Sequence, residues 1–400
     1  LGDMYGRRNL FVIGALVFLL GSLACAAAPS LPAIVAARFL QGLGGAMMVP
    51  VGRLVLLQGT PKPELVKALS YLTIPALLGP VLGPPLGGFI TTYFDWRWIF
   101  LINLPIAALG MVLGWRYVPE RREAQPAPLD VRGFLYCGGG LLALLFGVSA
   151  LGRHLVSDTV IAASLALGVA LLLAYLRHAR RVPQPLFDLG LLRLPTYRCG
   201  VVGGAVFRIG IGALPLLLPL LLQLAFGFTP LASGLTTFVS AVGAIGMKTL
   251  ATRVLRRHGF RRVLMLNALA VGASLALYAL FTPQLWHGVI LAVLFFGGLL
   301  RSLQFTALNA LTYAEVEQHE LSGATTLAST AQQLAATLGI AFGSAALEAA
   351  SALLPHATAA TPYACAFVAA GVMAALSSRW AWRLPPAAGS ELSGHRWAIQ

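Results

Sequence analysis

"LTIPALLGPVLGPPLGGFI", residues 72–90, is an uncharged and mostly apolar run that carries four glycines and four prolines. Those are the poorest helix formers. Yet the run has the length and apolarity of a helix that crosses a bilayer, which takes roughly 20 residues. On a helix Gly79, Gly83 and Gly87 recur every four residues and share one face. Small residues at that spacing let two helix backbones approach closely in lipid. Pro80, Pro84 and Pro85 remove backbone donors and bend the helix, and in lipid the freed carbonyls must be satisfied by neighbours. The stretch therefore reads as a bent membrane span packed against a partner helix.

Composition extends that reading to the whole chain. Of 400 residues 58% are hydrophobic and 10% charged, with a mean hydropathy of +0.81. Soluble domains carry about 25% charged residues. The expected fold class is all-α, a polytopic membrane protein. Apolar runs place twelve spans near 9–28, 32–57, 68–91, 97–116, 133–151, 159–176, 199–223, 232–250, 263–281, 287–309, 322–348 and 363–382. With residues before the first span inside, the inner connections hold 22 of the 28 basic residues, the outer ones only Arg97 and Arg153. Arg38, Arg53, Arg208 and Arg301 fall within spans. This positive-inside bias supports the span count, because one missed span would invert every later loop, and it places the C-terminus in the cytoplasm. Six of the seven tryptophans lie near span ends, as interfacial belts require.

Several function classes fall away. The net charge of +15 sits in short clusters between spans, not on one polar face, so a nucleic-acid partner is not expected. There is no GxxxxGK[ST] loop for ATP. Cys25, Cys137, Cys199 and Cys365 lie in or beside apolar runs with no CxxC, and no histidines are paired at metal spacing, so neither metal nor cofactor is expected. A membrane enzyme would need a polar cluster such as HExxH, which is absent. A channel is a further class, told from a carrier by steady current. What remains is a transporter.

A basic turn occurs twice. "LGDMYGRRNLF" opens the chain, and "ATRVLRRHGFRRVLM", residues 251–265, follows the eighth span. In each a glycine shortly precedes an Arg pair. Gly6 and Gly259 suit a turn that needs positive φ, and the pair suggests an internal repeat of the kind transporters use. Ordinary topology-setting basic loops are the alternative reading.

Together these pieces resemble the major facilitator superfamily, in particular its 14-helix drug:proton antiporter branch of the EmrB/QacA type. "LGDMYGRR" is similar to the end of that family's loop motif, through Asp3, Gly6, Arg7 and Arg8, with Met4 where the family has a basic residue. "RFLQGLGGAMM" resembles its R-x-x-Q-G-x-G-A pattern at Arg38, Gln41, Gly42 and Gly44. "GPVLGPPLGG" fits its G-x-x-x-G-P-x-x-G-G motif through Gly79, Gly83, Pro84, Gly87 and Gly88, and "WRWIFLINLPIA" resembles the signature that follows. The resemblance implies that two helices precede Leu1, one bearing a proton-coupling acid. It divides the chain into 1–116, the rest of an N-terminal half; 117–196, two extra central helices; and 197–400, a six-helix C-terminal half. It implies a bacterial inner-membrane exporter of drugs or other amphipathic small molecules, coupled to protons by alternating access. A periplasmic adaptor is left open.

Ionisable groups within spans cost about 2.5–3.5 kcal/mol on insertion scales and face cavities or partners. Arg208, nine residues into its span between Gly204 and Gly212, is expected to face a cavity. Arg38 faces a cavity or snorkels outward. Arg301, ahead of Gln304 and Asn309, faces the cavity or leans to the cytoplasm. Gln41 and Gln304 join these as substrate candidates, with Gln223, Gln332 and Gln333 weaker. Arg53 and Lys248 lie near inner ends and are expected to snorkel. No acid falls near mid-span; Glu348, at the outer end of its helix, comes nearest. Unpaired arginines also fit a second substrate class, organic anions or metal–chelate anions.

Overall fold

The computed structural model describes residues 2–61, 64, 65, 67–69, 71, 79, 83, 86, 87, 89–91, 93–120, 130–150, 156–183, 185–355 and 358–393, with the backbone alone at 3, 4 and 393. The long elements are helices: α1 (Arg7–Ala27), α2 (Leu31–Gly59), α3 (Asn103–Tyr117), α4 (Val131–Ala150), α5 (Asp158–Ala179) and α6 (Pro195–Ala225). The run Pro230–Leu277 follows, then α9 (His287–Leu311), α10 (Leu321–Leu353) and α11 (Thr361–Leu376). At Gly259 the run takes φ 72°, ψ 162°, so it is two helices, α7 (230–258) and α8 (260–277). Among the described residues ten helical segments are long and apolar enough to cross a membrane, with α7 and α8 counted as one. The expected span at 68–91 lies largely outside the described residues, so totals of twelve or fourteen remain counts made on the sequence.

Local chemistry starts the helices where the sequence signals them. The Ser30 Oγ accepts from the Ala33 N–H at 3.4 Å and Thr229 Oγ1 from the Ala232 N–H at 3.2 Å, each beside a proline in the first turn. Glu315 accepts from both the N–H and the hydroxyl of Thr196, at 3.4 and 2.7 Å, and so holds the start of α6. Gly6 precedes α1 at φ 95°, ψ 138°. Both glycines of the repeated basic turn thus adopt the positive φ expected of them.

Small residues set the helix crossings. A Cβ on Gly21 of α1 would lie 2.5 Å from the Gln41 nitrogen of α2. One on Gly212 of α6 would lie 2.9 Å from the Ala336 carbonyl oxygen of α10, and one on Gly339 2.7 Å from the Gly212 Cα. The motif glycines behave differently. Gly79, Gly83 and Gly87 are helical, but a Cβ on any of them would meet nothing within 4 Å among the described residues. The partner expected against that face is not among the described residues. Pro80, Pro84 and Gly88 are outside the described residues.

α1 packs on α2 and α3, and α4 on α5. α9 and α11 pack along α7 and α8, while α6 lies along α10 and α11. The α4–α5 hairpin is closed by Asp130, whose carboxylate accepts from the N–H of Gly133 (2.8 Å) and of Leu186 (3.1 Å) and pairs with His178 Nε2 at 2.8 Å. Burial pushes the Asp130 pKa up, but those hydrogen bonds outweigh it and hold the group below its ordinary value. One large core joins α6–α11, including Phe207, Leu264, Leu275, Leu308 and Phe367. It also takes in Leu54 and Leu57 at the C-terminal end of α2, with Leu65 and Leu69 beyond it. The opposite ends of α1–α3 hold a separate small cluster of Cys25, Ala26, Ala37 and Phe100. Large apolar side chains such as Ile106, Leu109, Phe146, Leu167 and Phe296 are exposed, as a lipid-facing surface requires.

Replacing Gly212 or Gly339 by leucine should force α6 and α10 apart and cost roughly 1–3 kcal/mol. Thermal unfolding in detergent checks it, with Gly42→Ala as the tolerated control, since nothing lies within 4 Å of a Cβ there.

Candidate functional site

Arg208 lies in the middle of an irregular helix. α6 has widened i→i+5 turns at Cys199–Gly203 and Leu221–Ala225, with Pro215 and Pro219 between. Such interruptions occur where helices shape a site. The side chain is 8% exposed. Gly204, one turn earlier, makes room for it: a Cβ there would lie 2.9 Å from Nη1. Nη1 donates to the Gly204 carbonyl at 3.2 Å, and Nη2 to Asn309 Oδ1 of α9 at 3.0 Å. The guanidinium stacks on Phe305 with 5.1 Å to the ring centroid.

The polar contacts continue across the molecule. Gln332 Nε2 of α10 donates to the same Asn309 Oδ1 at 3.5 Å. Gln332 Oε1 accepts from both terminal nitrogens of Arg53 at 3.3 Å, and Arg53 also donates to the Ser329 Oγ at 3.4 Å. The chain Arg53–Gln332–Asn309–Arg208 thus draws on α2, α10, α9 and α6. Tyr313, just past α9, is buried within Coulombic reach of both guanidiniums. Its hydroxyl faces the Arg53 guanidinium but makes no well-formed hydrogen bond among the described residues. Among those residues neither Arg53 nor Arg208 has an ion pair.

Arg208 is buried at mid-helix, and its partners are what sequence reasoning missed. Arg53 does not snorkel but turns half-buried toward α10. Lys248 does not snorkel either: it is buried, and Nζ donates to Thr306 Oγ1 of α9 at 2.8 Å. Hydropathy gives depth along a helix, not the direction a side chain takes around it. Gln304 is also corrected. Its Oε1 accepts from Asn267 at 2.9 Å and its Nε2 donates to the Leu264 carbonyl at 3.2 Å, so it ties α8 to α9 instead of lining the site. Arg301 is buried and donates to the Tyr278 hydroxyl at 3.0 Å, joining α9 to the turn that follows α8.

Two further groups lie elsewhere. Arg38 is exposed, stacks on Phe100 at 4.6 Å and donates to Gln41 Oε1 at 3.0 Å. Buried Gln41 donates on to the Ser22 Oγ at 2.7 Å. This second chain ties α2 to α1. At the start of α1 Arg7 is buried and bonded to Gln58 of α2. Arg8 pairs with Glu120 at 3.2 Å and stacks on Trp115 at 4.7 Å. The first basic turn thereby clasps the C-terminal ends of α2 and α3. Asp3 belongs to the short helix Gly2–Tyr5, and its side chain is outside the described residues.

Comparison with known proteins places this architecture. The family model described as Major Facilitator Superfamily matches residues 1–195 and 200–397. The "putative multidrug resistance protein MdtD" of Pectobacterium carotovorum is 38% identical over 340 residues, 85% of this chain and 73% of that one. The MdtD of an Escherichia coli strain is 37% identical over 342 residues, covering 85% and 72%. Among solved structures, the human organic anion transporter MFSD10 superposes with a TM-score of 0.66 at 15% identity, over 95% of this chain and 78% of that one. The proton:xylose symporter XylE does so with 0.62 at 17% identity, over 97% and 82%. At these identities the two solved structures speak for the fold alone. The chain belongs to the major facilitator superfamily and is a multi-pass membrane transporter, not an enzyme.

Asn309→Leu should leave Arg208 with only the Gly204 carbonyl and cost about 1–3 kcal/mol. A lowered unfolding temperature of the purified protein checks it, and an unchanged one would show that the Asn309 contact contributes little.

Proposed function

We propose that this member of the superfamily is a proton-coupled exporter of amphipathic small molecules in the bacterial inner membrane, with its C-terminus in the cytoplasm. Residues 1–116 and 197–400 belong to the two halves that rock, and 117–196 is an inserted helix pair. The observation that carries the reading is the crossing of Arg53 from α2 to Ser329 and Gln332 of α10. It lies on the side where Leu54 and Leu57 join the large core. Inward opening of a carrier requires this crossing to part, so alternating access has a defined contact to break. The MdtD relatives are named as multidrug resistance proteins, which supports drugs as the substrate class. The bent span at 72–90 is proposed to flex as the halves move. Proton coupling is carried over from the family resemblance.

A second reading has its own support. Arg53 and Arg208 share a hydrogen-bonded chain without a carboxylate among the described residues, which favours export of organic or metal–chelate anions.

Inside-out vesicles containing the protein test the main reading. An imposed proton gradient should drive uptake of an amphipathic dye, and a protonophore should abolish it. Dye uptake that ignores the protonophore would contradict proton coupling. Citrate uptake without dye uptake would move the assignment to the anion exporter, and steady ionic current would make the protein a channel.

A further inference from the structure

We infer that Arg53, Arg208 and Tyr313 form a clamp for the anionic head of the transported molecule, so that substrates of this carrier bear a carboxylate, sulfonate or phosphate. The inference rests on the reading of the chain as a carrier with a site between its halves, and it narrows the substrate class.

Charge balance is the first argument. A guanidinium buried in a membrane protein is costly unless an opposite charge or a full set of acceptors meets it. Arg208 has two acceptors, both neutral, and Arg53 has Gln332 Oε1 and Ser329 Oγ. The two cations repel one another, linked only through the neutral Asn309 and Gln332. An anion between them would remove that repulsion and supply the missing acceptors. Arg is the side chain suited to this, since its planar fork donates to both oxygens of a carboxylate or phosphate.

The donor set is the second argument. The Tyr313 hydroxyl is buried, faces the Arg53 guanidinium and makes no well-formed hydrogen bond among the described residues. A buried hydroxyl in that state needs an explanation, and an acceptor shared with Arg53 and Arg208 provides one. Guanidinium and phenol N–H and O–H groups donate, while an anion only accepts, so the chemistry is complementary.

Placement is the third argument. Arg53 stands on α2, Arg208 on α6, and Tyr313 just past α9. An anion held by all three touches both halves and couples its own binding to their relative position. Arg301 lacks this property, because Tyr278 lies within the same half.

The test uses the purified full chain and three labelled probes: benzoate, citrate and the lipophilic cation tetraphenylphosphonium. Saturable binding of an anion is expected in the parent protein. It should weaken at least tenfold in Arg53→Gln and in Arg208→Gln and persist in Arg132→Gln, an exposed arginine at the start of α4. Tyr313→Phe removes only a hydroxyl that makes no well-formed hydrogen bond, so it should fold normally, with an unchanged unfolding temperature, and still bind the anion several-fold more weakly. Anion binding that is unchanged in folded Arg53→Gln and Tyr313→Phe would overturn the clamp. So would a parent protein that binds tetraphenylphosphonium but neither anion, an outcome that leaves the carrier reading standing. Binding of none of the probes would count against both.

Discussion

The constraint on which the rest depends is the cost of taking a guanidinium out of water. Arg208 is 8% exposed at the middle of α6. It is held by a vacated position at Gly204, a carbonyl one turn away and the side-chain amide of Asn309. Asn309 in turn is shared with Gln332, and Gln332 with Arg53. Each neutral side chain serves two neighbours, so the positions of α2, α6, α9 and α10 are linked through a few acceptor atoms. A transporter needs such a link to be strong enough to hold one state and weak enough to break. Hydrogen bonds of 3.0–3.5 Å to neutral partners meet that need better than a buried ion pair, whose rupture costs about 3–5 kcal/mol.

Close helix crossings hold the scaffold around this link rigid. Gly21 against Gln41, and Gly212 against Gly339, bring backbones together where lipid offers no hydrophobic drive for association. Gln304 and Asn267 fasten α8 to α9, and Arg7 and Arg8 fasten the entry of α1 to the C-terminal ends of its neighbours. Helices so fastened move as bodies, which concentrates motion at the few contacts between bodies. The crossing of α2 and α10 at Arg53 is one of them.

Much of this was legible in the sequence. Hydropathy placed the described spans, since the membrane forces roughly 20 apolar residues on each one. Gly6 and Gly259 could be read as positive-φ turns because little else in a basic loop accounts for a glycine there. Arg208 stood out because mid-span charge is rare. Arg53, Lys248 and Gln304 were misread for one shared reason. Their roles depend on which way they point and on partners far along the chain: Ser329 and Gln332 for Arg53, Thr306 for Lys248, Leu264 and Asn267 for Gln304. One sequence fixes the depth of a residue in its helix but not which neighbour that helix will face. Gly79, Gly83 and Gly87 make the complementary point, as the shared face that spacing defines has no described partner helix against it.

The central claim is that Arg53 holds α2 and α10 together. A distance measurement between spin labels at Gly59 and Gln318 tests it most directly. Both residues line one cavity, together with Leu57, Gln58 and Tyr313. Cysteines replace them in a background where the four native cysteines are serine, and the full chain sits in lipid nanodiscs. The account predicts a short-distance population that Arg53→Gln depletes in favour of a longer one. The same distribution with and without the Arg53 guanidinium would contradict it.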